Sequence, residues 1–256
     1  MSYRRFVALG DSTTEGLVDP NPDGSFRGWA DRLAERLAED EPGLLYANLA
    51  VRGKLAGQVR ADQLEPALAL EPDLASVLCG LNDLLRRSVD VPAVAVQLET
   101  MVSALRDAGA DVITVTFPDP VPVNPLASRA ATRVRRLNAL IREISEAYGA
   151  KLVDLEAHPV SSDRRLWDVD RLHANPEGHR RIALAAAEAL GLEVADPNWT
   201  VAYDDPLGPR SPVEHAVWAW KYLRPWLIRR LRGRSSGDGI QPKRPTLEPI
   251  RATAYR

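Results

Sequence analysis

The chain has 256 residues, 45% of them hydrophobic and 27% charged, with a formal net charge of -2, the proportions of an ordinary globular protein with a sizeable core. A single cysteine, Cys79, excludes an intrachain disulfide framework and a Cys-rich zinc site. The opening apolar run is too short for a signal peptide and no later window is long enough to cross a bilayer, so a cytoplasmic protein is expected.

In chain order, short apolar runs alternate with stretches of helical period. Phe6 to Leu9, Leu45 to Val51, Leu74 to Cys79, Val112 to Phe117 and Leu152 to Leu155 read as strands, continuously apolar as in a parallel sheet buried on both faces. Helices are expected from Trp29 to a stop at Pro42 and Gly43, from Val91 to Gly109, over 126–148 and over 176–190. Repeated strand-then-helix order predicts an α/β domain with a mostly parallel sheet and right-handed crossovers. Residues 1–195 form this domain, and 196–256 form a C-terminal extension.

Polar residues collect after the strands, where such sheets carry function. Ser12 follows the first in "GDST", and Asn82 follows the third in "GLND". Of four histidines, His173 has Asp170 three residues before it, on a turn that precedes a helix. An acid there accepts the Nδ1 proton and leaves Nε2 to take a proton from a serine hydroxyl. Asp168 is the second candidate for that acid. The Ser12 and Gly53 N–H groups and the Asn82 amide suit a developing oxyanion. His158 and His179 read as structural or exposed. A metal bound by Asp168, Asp170, His173 and His179 has no established spacing and is not favoured. Neither a G-x-G-x-x-G loop nor a P-loop follows any strand, which argues against a nucleotide-binding protein.

Four blocks in order, "GDST" at 10–13, "NLAVRG" at 48–53, "GLND" at 80–83 and "DRLH" at 170–173, resemble the GDSL or SGNH hydrolases over about residues 4–191. The resemblance implies a three-layer α/β/α sandwich on a five-stranded parallel, flavodoxin-like sheet. It implies a nucleophile at Ser12, a base at His173 and its orienter at Asp170. It also implies oxyanion donors at Ser12, Gly53 and Asn82, with no metal or organic cofactor. The expected activity is hydrolysis of a carboxylic ester or thioester through an acyl-enzyme; the alternative is a catalytically silent binding module on the same fold. Arg52 and Lys54 flank Gly53 where the family has small polar residues. That departure means either a displaced loop, with Gly57 in place of Gly53, or an anionic substrate. Specificity is expected in the loops 14–27, 84–92, 118–125 and 156–169.

"GRSSG" at 233–237 fits the G-x-S-x-G pattern but lacks the strand-turn-helix context of a nucleophile elbow, and is read as a decoy in a flexible tail. From Lys221 onward ten Lys or Arg stand against Asp238 and Glu248. Within Val213 to Arg234, tryptophans and leucines surround most of a helix that Pro225 bends. Docking of this segment on its own domain or on a second subunit, as in a homo-oligomer, is expected in preference to contact with a membrane surface; no nucleic-acid partner is expected.

Overall fold

The computed structural model describes residues 2–250. Its centre is a sheet of the strands β1 (Arg5–Gly10), β2 (Leu45–Asn48), β3 (Leu74–Leu78), β4 (Asp111–Val115), β5 (Lys151–Val153) and β6 (Arg244–Pro249), in spatial order β5-β4-β3-β1-β2-β6. β1 to β5 pair in parallel, and every residue of β3 is buried, as the apolar run anticipates. The order reverses between β1 and β3, so the carboxyl end of β1 lies at a topological switch point, where α/β sheets bind ligands. Ser12 begins two residues beyond β1.

The sheet has six strands, not five. β6 comes from the segment read as a flexible tail and runs antiparallel to β2, with Leu45 opposite Pro249 and Asn48 opposite Arg244. Half of its residues are polar, most are exposed and none is buried. That is an edge strand, whose composition carries no core signal in the sequence.

Six helices pack on the sheet or cap its loops: α1 (Ser12–Glu15), α2 (Gly28–Asp40), α3 (Ala56–Ala69), α4 (Leu81–Leu84), α5 (Val91–Asp107) and α6 (Ser128–Tyr148), followed by α7 (Pro176–Ala189). In α2, Trp29, Leu33, Ala34 and Leu37 form the buried stripe that faces the core. α3, for which the sequence suggests no span, contains Pro66 and has only a weak apolar stripe. It nonetheless supplies Gln63, whose amide holds the last residue of β1 on both sides: Gly10 N–H donates to Oε1 at 2.8 Å, and Nε2 donates to Gly10 O at 2.9 Å. The turn that presents Ser12 is thereby tied to a helix across the sheet.

Beyond residue 211 the chain forms α8 (Pro212–Trp218), a π-helical turn at Ala219–Leu223 and α9 (Arg224–Leu231). Pro225 has no N–H to give, and the wider turn immediately before it lets the chain continue as a helix. The segment lies on its own domain by one face only. Trp218 is buried, whereas Trp220, Leu227 and Leu231 are exposed, so the expected all-round burial is not found. No helix among the described residues is long and apolar enough to cross a membrane.

Candidate active site

Three loops at the carboxyl rim bring the predicted residues together. After β1, Asp11 Oδ1 accepts from the Thr13 N–H at 3.3 Å and caps α1, whose first residue is Ser12. The Ser12 hydroxyl lies 3.0 Å from His173 Nε2, and His173 Nδ1 lies 2.6 Å from Asp170 Oδ2. Asp170 Oδ1 accepts the backbone N–H groups of Leu172 at 2.9 Å and His173 at 3.0 Å. Burial acts to raise the Asp170 carboxyl, but the His173 imidazole and these N–H groups outweigh it and hold the acid below its ordinary range. It therefore stands as an ionised acceptor for the Nδ1 proton.

Asp168, the second candidate, does not reach the imidazole. Its Oδ2 accepts the Asp170 N–H at 3.2 Å, and its own N–H donates to His173 O at 2.8 Å, so it braces the turn. His179 is fully buried in α7; it accepts the Trp29 N–H on Nδ1 at 3.2 Å and donates from Nε2 to Leu17 O at 3.0 Å. Burial pushes its pKa down to about 4, which keeps it neutral. His158 packs edge-on against Trp199.

Gly53 and Asn82 line the same cavity as Ser12 and His173, whereas Gly57 lies inside α3 and does not. Gly53 has φ +74°, and a Cβ there would collide with Ser235 Oγ, so the site requires glycine both for its backbone and for a close neighbour. Both amide protons of Asn82 are engaged, with Asp11 Oδ2 at 3.1 Å and with Lys54 O at 3.0 Å. These bonds fix the amide plane at the mouth of the cavity.

The cations beside Gly53 are already paired. The Arg52 guanidinium and N–H bind the buried Glu15 carboxylate, and Lys54 Nζ meets Asp62 at 2.5 Å. The anionic-substrate reading of these two residues is therefore not supported: their charge braces the loop.

The cavity at Ser12 has a volume of about 590 Å³. Leu17, Leu85 and Asn124 line it from three of the loops expected to set specificity, but 156–169 contributes nothing. In its place stands the extension, with Trp218, Tyr222, Leu223, Trp226, Ser235 and Ser236 forming a wall. Trp218 Nε1 donates to Asp170 O at 2.8 Å, and its ring lies 4.6 Å from the Arg171 guanidinium carbon. Arg171, buried in the left-handed region at φ +63°, also bonds His215 Nδ1 at 2.9 Å. The turn carrying Asp170 and His173 is thus held from outside by α8. "GRSSG" is no nucleophile elbow, yet Ser235 Oγ donates to Gly53 O at 3.3 Å and closes the cavity beside the glycine. Only the paired tryptophans near a basic stretch hinted at such a wall.

Asp11 sits directly beneath this constellation. Burial raises its carboxyl to about 7, although the Thr13 N–H, His173 and Asn82 all favour the ionised form. A folded-state value above the unfolded one means that its contribution to stability is complete below the unfolded pKa and is lost as the pH rises through 7. Asp11→Asn, which cannot ionise, is therefore expected to gain on the parent protein by about 2 to 3 kcal/mol between pH 5 and pH 8. Urea denaturation at the two pH values measures this, and a difference independent of pH would mean that Asp11 is ionised throughout.

The mostly parallel sheet, with helices on its faces and a polar rim at the switch point, defines an α/β-hydrolase-like protein. The sequence model of the GDSL-like Lipase/Acylhydrolase family matches residues 8–181, and the chain belongs to that family, as an esterase of the GDSL/SGNH type. It is 24% identical over 212 residues to an acetylxylan esterase from Geobacillus stearothermophilus, a match covering 75% of this chain and 96% of the relative. Among solved structures, LAE5, an alpha/beta hydrolase enzyme from the metagenome of Lake Arreo, Spain, superposes with a TM-score of 0.62 at 24% identity, over 73% of this chain and 95% of that one. A catalytic mutant of Axe2, an acetylxylan esterase from Geobacillus stearothermophilus, gives a TM-score of 0.63 at 18% identity, over 74% and 95%. These likenesses show the fold. The family match ends before the extension that walls the cavity.

Proposed function

We propose that the protein hydrolyses a carboxylic ester or thioester through a Ser12 acyl-enzyme, with His173 as base and Asp170 as its orienter. The observation that carries this reading is the unbroken chain Ser12 Oγ, His173 Nε2, His173 Nδ1, Asp170 Oδ2, with links of 3.0 and 2.6 Å. Ser12 Oγ attacks the acyl carbonyl as its proton passes to Nε2, and the imidazolium is stabilised by the Asp170 carboxylate. The carbonyl oxygen becomes an oxyanion, which takes the N–H groups of Ser12 and Gly53 and one proton of Asn82. For that, Asn82 gives up or shares one of its present bonds. His173 then returns the proton to the leaving oxygen or sulfur, and water repeats the sequence to release the acid. Similarity to an acetylxylan esterase makes acetylated sugars the first substrates to screen, beside p-nitrophenyl and thioester substrates. The extension from residue 196 serves this chemistry as a wall of the site.

A fluorophosphonate probe is expected to label Ser12 alone, with peptide mapping placing the adduct there and not on Ser235 or Ser236. Full labelling of Ser12→Ala would discard the assignment.

A further inference from the structure

A second cavity, of about 220 Å³, adjoins the first, and Gly53, Asn82, Trp226 and Ser235 line both. Its lining carries four guanidinium groups, those of Arg86, Arg229, Arg230 and Arg234, of which Arg229 also lines the first cavity. The one acid in the lining, Asp238, accepts the Ser235 N–H at 3.0 Å. Among the described residues, none of the four arginines forms an ion pair, unlike Arg52 at the neighbouring loop. Arg230 lies 4.7 Å over the Trp226 ring, on the partition between the two cavities, and both burial and the nearby Arg86 disfavour its charge. Four like charges lining one pocket outnumber the single carboxylate of Asp238 and repel one another, and an oxyanion there relieves that repulsion with forked, charge-assisted hydrogen bonds.

Resting on the hydrolase reading above, we propose that this arginine annex binds a distal anionic group, carboxylate or phosphate-like, on the acyl arm of the substrate. The arm is fixed by geometry. The annex shares Gly53 and Asn82 with the catalytic cavity but is not lined by His173, which must face the leaving group. A chain that keeps its carbonyl oxygen among the Gly53 and Asn82 donors and its leaving group at His173 therefore enters the annex from the acyl side. Three of the four arginines belong to the extension, beyond the span matched by the family. The selectivity is a property of this chain's own wall.

The test compares p-nitrophenyl hydrogen adipate with p-nitrophenyl hexanoate, which differ only in the terminal carboxylate, and adds the corresponding phosphonate-ended ester. The full-length protein is expected to favour an anionic ester over hexanoate by at least tenfold in kcat/KM. The ratio should fall at least fivefold in Arg86→Gln/Arg234→Gln and also in raised salt. Which anionic ester leads distinguishes a dicarboxylic from a phosphorylated acyl arm. A ratio near one in the parent protein overturns the proposal, as does a high ratio that survives in the double variant. If no ester is turned over, the hydrolase reading has failed, and calorimetric titration with adipate and hexanoate still decides the annex: adipate binding lost in the double variant supports it, and equal or absent binding of both acids overturns it.

Discussion

His173→Ala is expected to lower kcat for p-nitrophenyl esters by about 10⁴-fold or more, since in the proposed mechanism the base acts with Ser12 and Asp170 as one unit. Ser12→Ala should lose as much, and the double variant little more, because neither residue contributes without the other. Asp170→Asn should also be severe, since an amide in place of Oδ2, 2.6 Å from Nδ1, can present N–H and hold the wrong tautomer. Asn82→Ala should cost about 10²- to 10³-fold, the range for one oxyanion donor. Asp168→Asn is the discriminating control: it accepts a backbone N–H in the turn and does not touch the imidazole, so its effect should be small. Stopped assays with circular dichroism on each variant make the comparison. A crippled Asp168→Asn beside a nearly silent Asp170→Asn would reverse the two assignments.

Lys243→Met is expected to destabilise the protein by about 3 to 5 kcal/mol. Lys243 stands just before β6 and reaches the start of α2, where its ammonium donates to Phe26 O at 2.9 Å and Arg27 O at 2.8 Å and pairs with the Asp31 carboxylate. Burial pushes Asp31 up to about 6 despite this cation, and burial likewise lowers the Lys243 ammonium. Each charge is tolerated there because of the other. Removing the cation leaves the buried carboxylate without this partner and takes one donor from each of the Phe26 and Arg27 carbonyls at the start of α2. Asp31→Asn/Lys243→Met should recover much of the loss, as the charge is removed from both sides. Urea midpoints read both variants; a single variant within 1 kcal/mol of the parent would show that β6 is not held by this pair. Because the extension also walls the cavity at Ser12, truncation after Gly208 is expected to open that wall while leaving Ser12, Asp170 and His173 in the chain.

That Ser12, Asp170, His173, Gly53 and Asn82 gather at one rim was legible in the sequence for a local reason. Each stands a few residues beyond a strand or within a turn, and a continuously apolar run followed by Gly, Asp, Ser or Asn announces the rim of a parallel sheet before any packing is known. Of the two acids near His173 the three-residue spacing favoured Asp170 over Asp168, and in the fold it is Asp170 Oδ2 that lies 2.6 Å from Nδ1.

By itself, then, the sequence determined the parallel core and pointed to the side chains proposed to react, since both are written in local periodicity and in turn chemistry. Tertiary structure alone decided the rest: that Arg52 and Lys54 are neutralised by Glu15 and Asp62, that a polar segment becomes a sixth strand, and that Trp218, Trp226 and Ser235 close the cavity. The physical reason is separation along the chain. Ser235 meets Gly53 across 182 positions and Lys243 meets Asp31 across 212. Contacts at such range leave no period in the sequence, because what they require is complementary charge and shape brought together only when the chain has folded.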